Sequence, residues 1–165
     1  MSQPERLDSL IARIDQLAQR SKGEHEVQWA GAGSDAAIAT LEQALGVRIS
    51  GSFREFILKT GGGGLDSLRI SAIPAGEPLG GLGTVHGDTL HYREGWAAPL
   101  PAHLIVIQRC PDDNEPFCLD TSRVQDGENP VVLFYHQSTG SVERVADSFV
   151  AFLAEYLEPY WEGLP

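Results

Sequence analysis

Sixteen residues near the middle of the chain, IQRCPDDNEPFCLDTS from Ile107 to Ser122, hold two cysteines, four carboxylates and an asparagine. Such residues build metal sites, redox switches and acid–base centres. The spacing supports none of these chemistries. Cys110 and Cys118 are too few and too widely spaced for the paired C-x-x-C pattern of zinc. As flanks of a hairpin they could face one another, but a cytoplasmic compartment keeps thiols reduced, so buried free cysteines are expected. A calcium loop alternates its ligands and ends on a late Glu, whereas Asp112, Asp113, Asn114 and Glu115 are consecutive. Pro111 and Pro116 bracket this run and suit a tight polar turn. A strand, an acidic turn and a second strand are therefore expected, with no metal.

The other chemistry-bearing residues fare no better. KTGGGGL has its Lys before the glycines and a helical pattern before both, the reverse of a phosphate-binding loop, so the glycines are expected to end a helix. GGLGTVHG lacks the strand–turn–helix setting. None of His25, His86, His91, His103 and His136 forms an H-E-x-x-H pair, and there is no G-x-S-x-G elbow. No catalytic residue and no cofactor are expected.

The elements carrying these residues follow from hydrophobic period. Leu7, Leu10, Ile11, Ile14, Leu17 and Ala18 recur at helical spacing, which predicts a helix over 4–20. SKGEHEVQWAGAG reads as a connecting loop. Ser34 is placed to cap DAAIATLEQALG, which ends at Gly46, and a third helix is expected from Ser52 to Lys59. After Gly64 the segments LRISAI, TLHYR, LIVIQ, PFCLD, PVVLFYH and SVERV read as strands. A last helix begins near Asp147 or Ser148. The expected class is α+β: a twisted, mostly antiparallel sheet packed by N-terminal helices and a C-terminal helix. A chain of 165 residues suits one domain, with 1–33 as a helix and loop belonging to the same domain as 34–160. The start has no signal-peptide pattern and no apolar run is long enough to span a bilayer, so the expected location is the cytoplasm.

The net charge is −11, which argues against direct binding of nucleic acid. Its distribution is uneven. Residues 110–165 carry Arg123 and Arg144 against eleven carboxylates, or −9, while residues 1–109 are close to balance. Such a field attracts basic partners. A solvated acidic face would give the same composition.

The segment AAIATLEQALGVRISGSFREFILKTGGGG resembles the N-terminal hallmark of the SMI1/KNR4 family, the SUKH superfamily. Leu41 and Glu42, Leu45 and Gly46, Phe53 and Phe56, and Gly62 hold matching places. Ser50 stands where the family usually has Pro, as a helix-start residue, and Gly61 stands for Asn as a left-handed stop. Downstream, LIVIQRCPDDNEPFCLDTS is similar to the family's strand, polar turn and strand ending in Leu119 and Asp120. The closing segment carries Ser148, Phe149, Phe152 and Leu153 of an S-F-x-x-F-L helix. The resemblance covers about residues 34–158. It implies a helix-packed sheet, generally without catalytic residues. For bacterial members it implies immunity proteins of polymorphic toxin systems, and for fungal ones regulatory or scaffolding modules.

On that basis the expected partner is a basic protein toxin, in some systems a nuclease, with no direct nucleic acid and no membrane. Asp112, Asp113, Glu115, Asp120, Asp126 and Glu128 are the candidate contact surface, because they lie on or beside loops. Tyr92 and Trp96 are candidate aromatic anchors, with core packing the simpler reading of Trp96. Trp29 and the first helix either pack on the core or complete a groove. The alternative function is a scaffold without a toxin, and a pocket of converging carboxylates or histidines would favour an enzyme or small-ligand binder.

Overall fold

The apolar stripe of Leu7, Leu10, Ile14 and Leu17 winds the first element into helix α1 (Leu7–Arg20), with all four side chains buried. The computed structural model of the chain describes residues 6–66, 68–94, 96–110 and 115–161. Two further helices form as their capping residues require. In α2 (Asp35–Leu45) the Ser34 hydroxyl accepts the Ala37 N–H, and Gly46 closes the helix at φ 69°. In α3 (Ser52–Thr60) Phe53, Phe56 and Ile57 face the core, and Gly61 at φ 76° ends the helix.

The N-cap of α3 is Gly51, not Ser50, and it has no side chain to offer. Glu128 supplies the cap from elsewhere in the chain: its carboxylate accepts the Ser52 N–H at 3.0 Å and the Ser52 hydroxyl at 2.9 Å. A Cβ on Gly51 would lie 2.4 Å from that carboxylate, so glycine leaves the space Glu128 fills. Ser50 instead donates its N–H to Asn129 at 2.8 Å.

Two stretches expected as connections are strands. Val27–Trp29 (β1), within the expected loop, pairs with Gly63–Leu65 (β2), which pairs with Leu68–Ile70 (β3), all antiparallel. Gly61 does end α3, but the glycines after it carry the middle strand. Gly62 and Gly63 have φ of 111° and 116°. A Cβ on Gly63 would approach the Gln28 carbonyl to 2.1 Å, so only a chain without side chains fits between its neighbours.

TLHYR, expected as a strand, is the C-terminal half of helix α4 (Val85–Arg93). The Thr84 hydroxyl caps it by accepting the Gly87 N–H at 3.0 Å. Val85, Asp88, Thr89 and Tyr92 are buried at helical spacing. Tertiary packing overrides the strand preference of Thr and Tyr here, and the Thr89 hydroxyl accepts the Val106 N–H at 2.9 Å.

The second sheet is an antiparallel meander of β4 (Leu104–Gln108), β5 (Phe117–Asp120), β6 (Val131–Phe134) and β7 (Val142–Ala146), with β7 at one edge. The Ser71 N–H donates to the Ile107 carbonyl at 2.7 Å and joins the first sheet to β4. Every residue of β4 is buried, because a core packs on each face of this strand. Ile105, Ile107, Leu119 and Val131 face the large core shared with α1, α2, α3 and the last helix, α5 (Phe149–Trp161). Leu104, Val106, Cys118, Val132 and Phe134 face a smaller core under α4, where Tyr92 is fully buried. The Ser148 hydroxyl caps α5 by accepting the Ala151 N–H at 3.1 Å. The fold is α+β with two antiparallel sheets. No described helix is long and apolar enough to cross a membrane.

Candidate protein-binding face

Of the six carboxylates expected to form one contact surface, the four within the described residues are put to different uses. Asp112 and Asp113 lie outside the described residues. Asp120 is buried, 7% exposed. Its Oδ1 accepts the Ser122 N–H at 3.0 Å and the Ser122 hydroxyl at 2.6 Å, and Arg123 Nε stands 3.7 Å from Oδ2. This turn binds its own carboxylate rather than presenting it. Glu128 is occupied by the cap of α3. Asp126 is exposed, at φ 53° in the turn closed by the mutual hydrogen bonds of Gln125 and Glu128. Glu115 is half-buried just ahead of β5.

Glu115 belongs to a group that sequence pattern did not reveal. The register sets Phe117 beside Leu133, and Leu133 beside Glu143, in one row across β5, β6 and β7. Alternation along the strands puts Glu115 and Tyr135 on the same face, and Val145, the extra residue of a bulge in β7, lines it too. The Tyr135 hydroxyl donates to Glu143 Oε2 at 2.5 Å. The hydrogen bond to Glu143 first, then desolvation, and then the charges of Glu143 and Glu115 hold the Tyr135 phenol above its ordinary pKa. Alongside runs α5, whose Phe152 ring lies 4.9 Å from that of Phe117. Phe117, Val145, Phe152 and Glu155 line a shallow groove of about 190 Å³. Glu143 and Glu155 are exposed. The face thus has an apolar centre and carboxylates at its margin. The period-two pattern of SVERV carried part of this signal, but which strands flank it is set only by the register.

A larger cleft of about 570 Å³ opens where the two sheets meet, lined among others by Trp29, Gly63, Asp66, Arg69, Asp88 and Arg109. Its buried carboxylate, Asp88, accepts the Ser71 hydroxyl at 2.6 Å and the Gly83 N–H at 2.9 Å, with Arg109 Nε at 3.7 Å. Both oxygens are therefore used to tie β3, the approach to α4 and the end of β4 together. Trp29 packs on the core: its ring meets Phe56 edge-on at 6.0 Å and its Nε1–H donates to Asp15 of α1 at 2.9 Å. The first helix packs there with it.

Tyr92 is fully buried, and the half-buried Trp96 stacks on it at 5.7 Å. The His136 ring packs edge-on against both, with its two nitrogens buried and unpaired among the described residues. This cluster fills the smaller core and does not place Tyr92 as a surface anchor. Both cysteines are free thiols. Cys118 is buried opposite Val106, whereas Cys110 is only half-buried, past the end of β4, so the two do not face each other. No group of three His, Cys, Asp or Glu among the described residues is arranged to hold a metal ion.

The order of elements, the helix caps and the closing helix can be set beside known families. A family model described as SMI1-KNR4 cell-wall, of the SUKH group, matches residues 10–158. The match extends from α1 to α5, so the first helix lies within the family's domain. This chain belongs to the SMI1/KNR4 family.

Proposed function

We propose that this chain is a non-catalytic protein-binding domain of the immunity type. It acts in the cytoplasm by capturing a basic protein toxin through the acidic last third of its sequence. The observation that carries this reading is the arrangement of Glu115, Glu143 and Glu155 around an apolar groove in a member of the SMI1/KNR4 family. A toxin that handles nucleic acid presents Lys and Arg where phosphate must sit, and a carboxylate-bordered face competes for those groups. The −9 carried by residues 110–165 would also speed encounter with such a surface.

The test looks for a basic toxin gene beside this one and expresses the two proteins together. Wild type should restore growth of cells making the toxin and retain it in a pull-down at low salt but not at high salt. A variant with Asp112→Lys, Asp113→Lys and Glu115→Lys should lose both properties. Equal retention by wild type and variant at both salts would move the interface off the acidic face. It would favour the second reading, a regulatory or scaffolding module, which the cell-wall description of the family also supports.

A further inference from the structure

β7 ends its sheet, and Val142, Glu143 and Arg144 along it are exposed. An edge strand offers a row of N–H and C=O groups to any extended chain that lies beside it. The groove of Phe117, Val145, Phe152 and Glu155 adjoins this edge on one face. We propose that this edge and groove together take an extended segment of the partner, added to the sheet beside β7. The segment carries one apolar side chain flanked by Lys or Arg. The proposal rests on protein capture as the function and gives it a place and a recognition pattern.

The arrangement argues for that pattern. Register with Leu133 sets Glu143 on the groove side of β7, and Val145, the extra residue of the bulge opposite Val131 and Val132, lines the groove itself. An added strand puts its own alternate side chains over them. An apolar one meets Val145 and Phe152, and basic ones reach the exposed carboxylates of Glu143 on β7 and Glu155 on α5. Tyr135 holds Glu143 through their hydrogen bond, so that carboxylate is already oriented. Main-chain bonds of this kind contribute affinity, and the pocket and charges select the sequence.

Size and charge exclude other occupants. A groove of about 190 Å³ falls below the roughly 300–1,000 Å³ usual for small-molecule sites. It suits a single anchoring side chain from a protein. A second copy of the chain pairing edge to edge would bring two sets of Glu143 and Glu155 together, and like charges set side by side on strands repel.

The test is an NMR titration of the full chain with a capped peptide, Thr-Lys-Thr-Leu-Thr-Lys-Thr. Amide shifts should concentrate in β7 and along the Phe152–Glu155 stretch of α5, and binding should weaken as salt is raised. Replacing the central Leu by Ser, N-methylating alternate peptide amides, or introducing Glu143→Lys or Glu155→Lys should each weaken binding by about tenfold or more. Both carboxylates are exposed, so these variants keep the fold. Shifts centred elsewhere, equal binding of the Ser peptide, or no binding at millimolar peptide would overturn the proposal. So would a dimer that Glu143→Lys dissolves, because the edge would then belong to a second copy. Growth protection separates this proposal from the immunity function on which it rests. If Glu143→Lys with Glu155→Lys still protects fully, the edge is not the capture site although immunity stands. If wild type binds the peptide at the edge but never protects, the surface stands and immunity falls.

Discussion

Asp66 sits at φ 52° in the turn after β2. Its carboxylate accepts the Glu26 N–H at 2.8 Å and meets His25 Nδ1 at 2.6 Å, fastening the start of β1 to that turn. The amide hydrogen bond first, and His25 second, hold its carboxyl below the ordinary value of 3.8. A lowered folded-state value means that the ionised form stabilises the fold. That stability is fully present above 3.8 and is lost as pH falls through the lower folded-state value. Urea midpoints of wild type and Asp66→Asn should therefore differ at neutral pH and converge in strong acid. A difference that persists there would remove the carboxylate from the account. The thiols give a second prediction at this scale. Burial pushes the Cys118 thiol far above its ordinary pKa. A thiol reagent should modify Cys110 in the native protein and reach Cys118 only on unfolding. Two equivalents reacting at one rate under native conditions would contradict the burial of Cys118.

At the scale of elements, α3 depends on a residue 76 positions later in the chain. Gly51 cannot cap, so Glu128 brings a negative charge and acceptor oxygens to the helix start, where exposed N–H groups and the helix dipole favour an anion. Glu128→Ala should cost about 1–2 kcal/mol in a denaturant titration, with Glu128→Gln recovering part of it. A loss below a few tenths of a kcal/mol would mean water caps the helix equally well. The glycine strand β2 is held in a comparable way by surroundings that leave no room for a Cβ. Helix α4 likewise owes its form to packing, since Thr89 and Tyr92 favour strands but are buried by a helix lying on β4.

For the whole molecule, the first helix belongs to the large core. Leu10, Ile14 and Leu17 are at most 2% exposed, and Lys59 of α3 meets Asp8 at 2.8 Å. Ile14→Ala should lower unfolding stability by about 2–4 kcal/mol. It should leave capture of a partner at the β7 edge unchanged under conditions where the protein stays folded. A loss of capture from the folded variant would draw α1 into the binding surface. Charge acts at this scale too: under the proposed capture, the summed field would steer a basic partner and the groove would decide where it settles.

The sequence by itself determined the elements whose signals are local. Periodic apolar residues, aliphatic in α1 and α2 and largely aromatic in α3 and α5, marked those helices, Ser34 and Gly46 bounded α2, and the short apolar runs marked β3 to β7. A hydrophobic period, a capping hydroxyl and a left-handed glycine each act within a few residues, so each is visible in a short window. The ordered series of such elements was also enough to indicate the family. Only the tertiary structure decided the rest. β1 and β2 become strands because they pair with each other across more than thirty residues. Asp120 and Glu128 turn inward because Ser122 and the start of α3 need acceptors there. Glu143 joins Glu115, Phe117 and Phe152 because sheet register brings distant residues onto one face. Composition counts carboxylates, but pairing and burial decide which of them a partner can meet.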